Sequence, residues 1–174
     1  IYGSSSGALR AACFCETYPQ HGEKLVLDAF VWTGKDAPTL IERAKKMDIW
    51  TASNMRSVDR DFILSIFTRD KPDYELKICN QVPTGTYVDM CSKLPVCDPA
   101  KIRCPVLIIR GEHDGIATEE DLLAYYSALP VHDKQFVIIP GMAHISHLGV
   151  NRARFWHVLR NFLQMPERID GLDG

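Results

Sequence analysis

The chain opens Ile1-Tyr2-Gly3-Ser4-Ser5-Ser6-Gly7 and then turns to a helical pattern, Ala8-Leu-Arg-Ala-Ala-Cys-Phe-Cys15. This is G-x-S-x-G. A nucleophile carried on a sharp strand-to-helix turn needs small neighbours two residues to either side, because the strand and the helix pass close to each other there. Gly3 and Gly7 flank Ser5 in this way, whereas Ser4 and Ser6 lack the symmetric pair, so the spacing selects the middle serine. The helix that follows would point its N-terminus at the hydroxyl, and the backbone N–H of Ser6 could then face a developing oxyanion. The same five residues also read as a flexible Gly/Ser linker or the remnant of a tag. The rest of the chain has to decide.

A serine hydroxyl is a weak nucleophile without a base, and the base must be oriented by an acid, so an acid and a histidine are needed further along the chain. Both are present. The apolar run Val106 to Arg110 is followed by Gly111-Glu-His-Asp114-Gly115, which puts a carboxylate in a loop at a strand's carboxyl end. Phe136 to Ile139 is followed by Pro140-Gly-Met-Ala-His144, which puts an imidazole in the equivalent loop one strand later.

The elements that must hold these residues are those of an α/β fold. Lys24-Leu-Val-Leu-Asp-Ala-Phe30 and Cys104-Pro-Val-Leu-Ile-Ile-Arg110 are continuous apolar runs, the pattern of parallel strands covered on both faces, and Gln135-Phe-Val-Ile-Ile139 belongs with them. Thr118 to Leu129 reads as a helix with Thr118 at its N-cap and acidic residues in its first turn. A last helix over about 150–164 is expected to lay Ala153, Trp156, Leu159 and Leu163 on the sheet, with Phe155 and Phe162 broadening the stripe. Residues 36–100 differ in character. They hold two expected helices, Ala37 to Trp50 and Asp59 to Arg69, then Pro- and Gly-punctuated loops around Asn80 to Gly85 and Leu94 to Pro99. We read this stretch as an insertion between strands, where lids commonly form.

Taken together, these segments resemble the α/β-hydrolase superfamily over nearly the whole chain, from Gly3-Ser-Ser-Ser-Gly7 through Tyr18-Pro19 and Leu25-Val-Leu27 to Cys104-Pro-Val-Leu-Ile-Ile-Arg-Gly-Glu-His-Asp114 and Ile139-Pro-Gly-Met-Ala-His144. The resemblance implies a mostly parallel sheet flanked by helices, with the core in residues 1–35 and 101–174 and a helical cap in 36–100. It also implies a triad: Ser5 as nucleophile, His144 as general base and then acid, Asp114 fixing the imidazole tautomer, with Ser6 N–H in the oxyanion hole. The family pattern favours His144 over His147, and Asp114 over Glu112 and Asp28, although Asp28 ends a strand where some members carry their acid. His113, His132 and His157 read as solvated or packed. Trp32 and Trp50 are candidates for the substrate pocket, with core packing as the alternative for both.

The family's strands before the elbow, and the loop that supplies the second oxyanion donor, have no counterpart here. The expectation is therefore a C-terminal portion of a longer hydrolase that needs its N-terminal half and is a poor catalyst alone. The expected reaction is hydrolysis of a small-molecule carboxylic ester, lactone or thioester through an acyl-enzyme. A carbon-carbon bond hydrolase, an acyltransferase or a non-catalytic ligand-binding module are alternatives.

Composition sets outer limits. The 174 residues are 46% apolar and 24% charged, an ordinary globular balance for one domain. With 20 Lys+Arg against 22 Asp+Glu the net charge is −2, too little positive field for a nucleic-acid partner. No apolar run is long enough for a membrane span. The six cysteines form no CxxC pair and read as mostly free or buried thiols, which leans towards a reducing, cytoplasmic setting. No metal site is expected, since His144-x-x-His147 has no partner pair. No cofactor is expected either, as neither a GxGxxG nor a Walker pattern occurs. A homodimer is compatible with the sequence.

Overall fold

The computed structural model describes residues 1–53, 55–58, 60, 81–167 and 169. In chain order its elements are β1 (Tyr2–Ser4), α1 (Ser6–Thr17), β2 (Leu25–Asp28), α2 (Pro38–Ala44), α3 (Met47–Ser53), β3 (Met55–Ser57), β4 (Gln81–Pro83), α4 (Gly85–Ser92), β5 (Val106–Gly111), α5 (Glu119–Ala128), β6 (Lys134–Ile139) and α6 (Arg152–Gln164).

The apolar runs become a four-stranded sheet in the order β1-β2-β5-β6, all of it parallel. Alternate side chains of the middle strands serve opposite faces. Leu25, Leu27, Val106 and Ile108 join Ala8, Ala12 and Tyr125 in one cluster under α1 and α5. Val26, Leu107 and Ile109 join Phe155, Leu159 and Phe162 of α6 in the other. Both faces of β2 and β5 are therefore dry, which is why their sequences do not alternate. The strand expected to be buried like them, β6, is instead half-buried, because it is an end strand of the described sheet.

Two of the flanking helices, α5 and α6, are held by polar contacts as well. Thr118 Oγ1 accepts from Asp121 N–H at 3.1 Å and caps α5 as expected. The buried carboxylate of Asp121 in turn accepts the Trp32 and Thr33 N–H groups at 2.9 and 3.0 Å and the Thr33 hydroxyl, which fixes the loop after β2. Lys24 Nζ, at the entrance to β2, donates to the Phe162, Leu163 and Met165 carbonyls at 3.1, 3.0 and 2.7 Å. A cation thus meets the unsatisfied carbonyls at the C-terminus of α6.

Two helices differ from the sequence expectation. The stripe of α6 that meets the sheet is Phe155, Leu159 and Phe162, an i, i+4, i+7 set, whereas Trp156 and Leu163 are half-exposed and Ala153 is exposed. The three aromatic and aliphatic side chains on that set bury more apolar surface than a stripe centred on Ala153, so the helix rotates to present them. The single helix expected over 37–50 is two, α2 and α3, with a tightened turn in which Lys46 N–H bonds the Arg43 carbonyl. No Gly or Pro marks the break, and nothing in the local sequence explains it.

Between β2 and β5, α2, α3 and α4 pack together, and β3 pairs antiparallel with β4 where a loop was expected. Apart from Arg60, the expected helix Asp59 to Arg69 lies outside the described residues, as do Asn80 and Cys79. Among the described residues Cys13, Cys15, Cys91, Cys97 and Cys104 are free. A hydrogen bond with the Cys104 thiol lowers Cys15 to about 7, and that bond, with burial, pushes Cys104 up.

Candidate active site

Ser5 stands between β1 and α1 with φ 55° and ψ −124°, a left-handed conformation that a residue with a Cβ adopts only where its surroundings enforce it. Two backbone bonds enforce it here. Ser5 N–H donates to the Asp28 carbonyl at the end of β2, and Ser5 C=O accepts from Ala8 N–H, both at 2.9 Å. The turn closes only because residue 3 is Gly: a Cβ there would lie 2.3 Å from the Gly7 carbonyl oxygen. The second glycine acts differently from expectation, since a Cβ on Gly7 would meet nothing within 4 Å. It is the Gly7 backbone, and not the lack of a side chain, that presses on Gly3.

The hydroxyl thrown up by this turn meets the loop after β6. Ser5 Oγ lies 2.8 Å from His144 Nε2, and His144 Nδ1 lies 3.1 Å from both carboxylate oxygens of Asp114. A carboxylate only accepts, so Nδ1 must carry the proton, leaving the Nε2 lone pair facing Ser5. Asp114 is itself held by Ile116 N–H at 3.0 Å on Oδ1 and by Arg110, whose guanidinium donates to the Asp114 carbonyl at 2.9 Å. The two loops rest directly on each other. A Cβ at Gly111 would lie 2.4 Å from the Ala143 carbonyl oxygen, and Glu112 accepts from Gly141 N–H at 2.8 Å. Asp114 is buried at 2% exposure, so its charge acts on His144 with little solvent between them.

The other candidates fall away from this chain of bonds. Asp28 is buried but points elsewhere: its carboxylate accepts Ser146 Oγ at 2.6 Å and the Tyr2 hydroxyl at 3.0 Å, with His147 Nδ1 at 3.5 Å and not hydrogen-bonded. Burial, with the neighbouring Asp28 charge, pushes the Tyr2 phenol far up, so Tyr2 stays a donor. Glu112, His113, His132 and His157 are exposed. Trp32 does not line the space around Ser5; its indole donates to the Cys97 carbonyl at 3.3 Å and packs on Tyr125 in the core. Trp50 is also absent from that lining. It is buried behind Tyr87, ring centroids 5.5 Å apart, and supports the wall from outside.

Ser146 has a role that the sequence did not disclose. By bonding Asp28 it pins the loop two residues beyond His144 to the same residue whose carbonyl holds Ser5. Ser146→Ala leaves a buried carboxylate short of one donor, and a loss of about 1–3 kcal/mol in urea unfolding is expected together with slower covalent labelling of Ser5. Wild-type stability with unchanged labelling would remove Ser146 from the positioning of His144.

Ser5, Ser6 and His144 open on a cavity of about 330 Å³ whose other walls include Arg43, Tyr87 and Met90. Ser6, Thr86 and Met90 also border a second recess of about 260 Å³ lined by Leu9, Leu94 and Val96. Sequence reasoning missed Arg43, because an arginine on an amphipathic helix reads as solvated. Its signal was its place on the same side as Leu40 and Trp50. Among the described residues no group of three His, Cys, Asp or Glu side chains is placed to hold a metal ion, and no helix is long and apolar enough to cross a membrane.

A parallel sheet with helices on both faces and a serine on a strained strand-to-helix turn defines an α/β-hydrolase. The family model described as serine aminopeptidase, S33, matches residues 1–148, and the chain belongs to that family. No curated protein sequence matches it. Solved structures share the fold at low identity. The monoacylglycerol lipase of Paleococcus ferrophilus is similar at 19% identity and TM-score 0.62, over 93% of this chain and 66% of its own. An α/β-hydrolase enzyme from a Medee basin deep-sea metagenome is 20% identical at TM-score 0.66, over 98% and 66%. The enol-lactonase of Burkholderia xenovorans is 19% identical at TM-score 0.60, over 94% and 65%. The chain thus spans about two thirds of the length of these structures.

Proposed function

We propose that this chain carries the catalytic residues of a serine hydrolase that cleaves a carboxylic ester, lactone or thioester of a small molecule through an acyl-enzyme. The observation that carries the proposal is the continuous hydrogen-bonded series Ser5, His144, Asp114 on one side of a cavity. Ester-cleaving names among the structural neighbours, a monoacylglycerol lipase and an enol-lactonase, favour the same class.

The steps follow from the atoms in place. Ser5 Oγ attacks the substrate carbonyl carbon while its proton passes to His144 Nε2, and the carbonyl oxygen becomes an oxyanion near Ser6 N–H at the start of α1. Asp114 stays ionised and stabilises the imidazolium. Collapse breaks the carbonyl bond to the leaving oxygen or sulfur, which takes the proton from Nε2, and an acyl-Ser5 remains. Water then attacks the acyl carbon, giving its proton to Nε2. On the second collapse that proton returns to Ser5 Oγ and the free acid departs. Residues 36–100, with α2 and α4 beside the cavity, are proposed as a cap that shields these steps, and the recess bordered by Leu9, Leu94 and Val96 as room for an apolar part of the substrate.

The test is a burst experiment on the native protein with p-nitrophenyl acetate, paired with intact mass after a fluorophosphonate probe. A burst and a single adduct mapped to Ser5 are expected. A protein that gives neither is a binding module on the same fold, and the proposal is then wrong.

A further inference from the structure

Arg43 lies on α2 with only 8% of its surface exposed, yet it forms no ion pair among the described residues. A guanidinium removed from water without a carboxylate is costly, and buried arginines are ordinarily paired. The described contact of its guanidinium is with an aromatic face: Arg43 Cζ stands 4.5 Å from the centre of the Tyr87 ring. That contact orients the planar group and leaves its N–H edges unpaired by any charge. Among the described residues the one carboxylate whose charge bears on Arg43 is Asp114, more weakly than the other groups around it, and Asp114 is occupied by His144.

The position of this group gives it a meaning. Arg43 shares the cavity of about 330 Å³ with Ser5 and His144, a volume at the small end of the roughly 300–1,000 Å³ of ligand pockets. A rigid fork of donors matches a carboxylate in bidentate fashion, and the pairing is strongest where water is excluded. We propose that the substrate acyl group carries a carboxylate remote from the scissile carbonyl, and that Arg43 binds it, making this a hydrolase of small anionic esters or lactones. The inference rests on the serine hydrolase reading of Ser5 and names the substrate class of that same site. A carboxylate is favoured over a phosphate because, among the described residues, Arg43 is the one arginine that lines the cavity, and a dianion would leave half its charge unmatched.

The experiment compares the mono-p-nitrophenyl ester of glutaric acid with its methyl-capped neutral diester, both followed by p-nitrophenolate release from the native protein. The anionic ester is expected to have the higher kcat/KM. In Arg43→Met the anionic-to-neutral ratio is expected to fall by about ten- to a hundredfold, with part of it kept in Arg43→Lys. A native ratio at or below one, or a ratio unchanged in Arg43→Met, overturns the inference and assigns Arg43 to packing or to the oxyanion. Should the variants fail to fold, the native protein answers alone. Free glutarate should protect Ser5 from the fluorophosphonate, and protection by inorganic phosphate and not by glutarate, or by neither, would refute the carboxylate. A Ser5 adduct without anion preference defeats this inference only, whereas no adduct defeats the hydrolase reading beneath it.

Discussion

Ser5→Ala is expected to abolish the fluorophosphonate adduct and to lower kcat for an activated ester by about 10⁴- to 10⁶-fold, while urea unfolding stays close to wild type. The size of the effect comes from what one oxygen does. Ser5 Oγ is the atom that would become bonded to the acyl group, and its 2.8 Å contact with His144 Nε2 is the path for its proton. Without it His144 can at best activate water directly, with no covalent intermediate to divide the barrier. The fold has little reason to respond. Ser5 Oγ makes no described contact besides that with His144, and Ala is held by the same two backbone bonds to Asp28 and Ala8. Because Ser4 and Ser6 are immediate neighbours, the matched variants Ser4→Ala and Ser6→Ala belong in the experiment. An adduct that survives Ser5→Ala and disappears in one of these would move the nucleophile by one residue.

The second large effect is expected at Asp114. In Asp114→Asn the amide can turn its NH₂ towards His144 Nδ1, which favours the tautomer with the proton on Nε2, and that tautomer cannot accept from Ser5. The imidazolium also loses the carboxylate 3.1 Å away that would balance it. A drop in kcat of about 10⁴-fold is expected, with the protein still folded. Asp28→Asn makes the decisive comparison. Asp28 is as deeply buried, and it also stands beside a histidine, but both its oxygens are engaged by Ser146 and Tyr2 and neither reaches His144. Its loss should act through the placement of the loop and be the smaller of the two. If Asp28→Asn proved the more damaging to kcat at equal stability, the acid would be Asp28, and the 3.1 Å geometry at Asp114 would be incidental.

The contrast between these two aspartates shows how far a linear reading reaches. Both stand where a buried strand ends; the family pattern favours Asp114, but no physical property of either sequence window says which carboxylate turns towards the imidazole. Backbone periodicity was legible because it is local. The unbroken apolar runs at 24–30 and 104–110 become the two strands with dry faces, and Thr118 caps its helix with its own side chain. The order of serine, acid and histidine was equally plain, since loops at the carboxyl ends of parallel strands gather on one edge of a sheet whatever the packing around them.

Other features depend on the sum of many contacts. The rotation of α6 onto Phe155, Leu159 and Phe162, and the partial burial of Trp32 against Tyr125, follow from which arrangement hides most apolar surface in three dimensions. Arg43 is the clearest case. Its type and its place on a helix are those of a solvated residue, and only the packing of α2 on α4, across the cavity from the elbow, encloses it with Ser5. By itself, then, the amino-acid sequence determined the strands, the order of the reactive groups and the strained turn that displays Ser5, because each arises within a few residues of backbone. The tertiary structure decided which acid meets His144 and which cation faces the cavity, because side-chain direction at the end of a strand or helix is settled by neighbours distant in the chain.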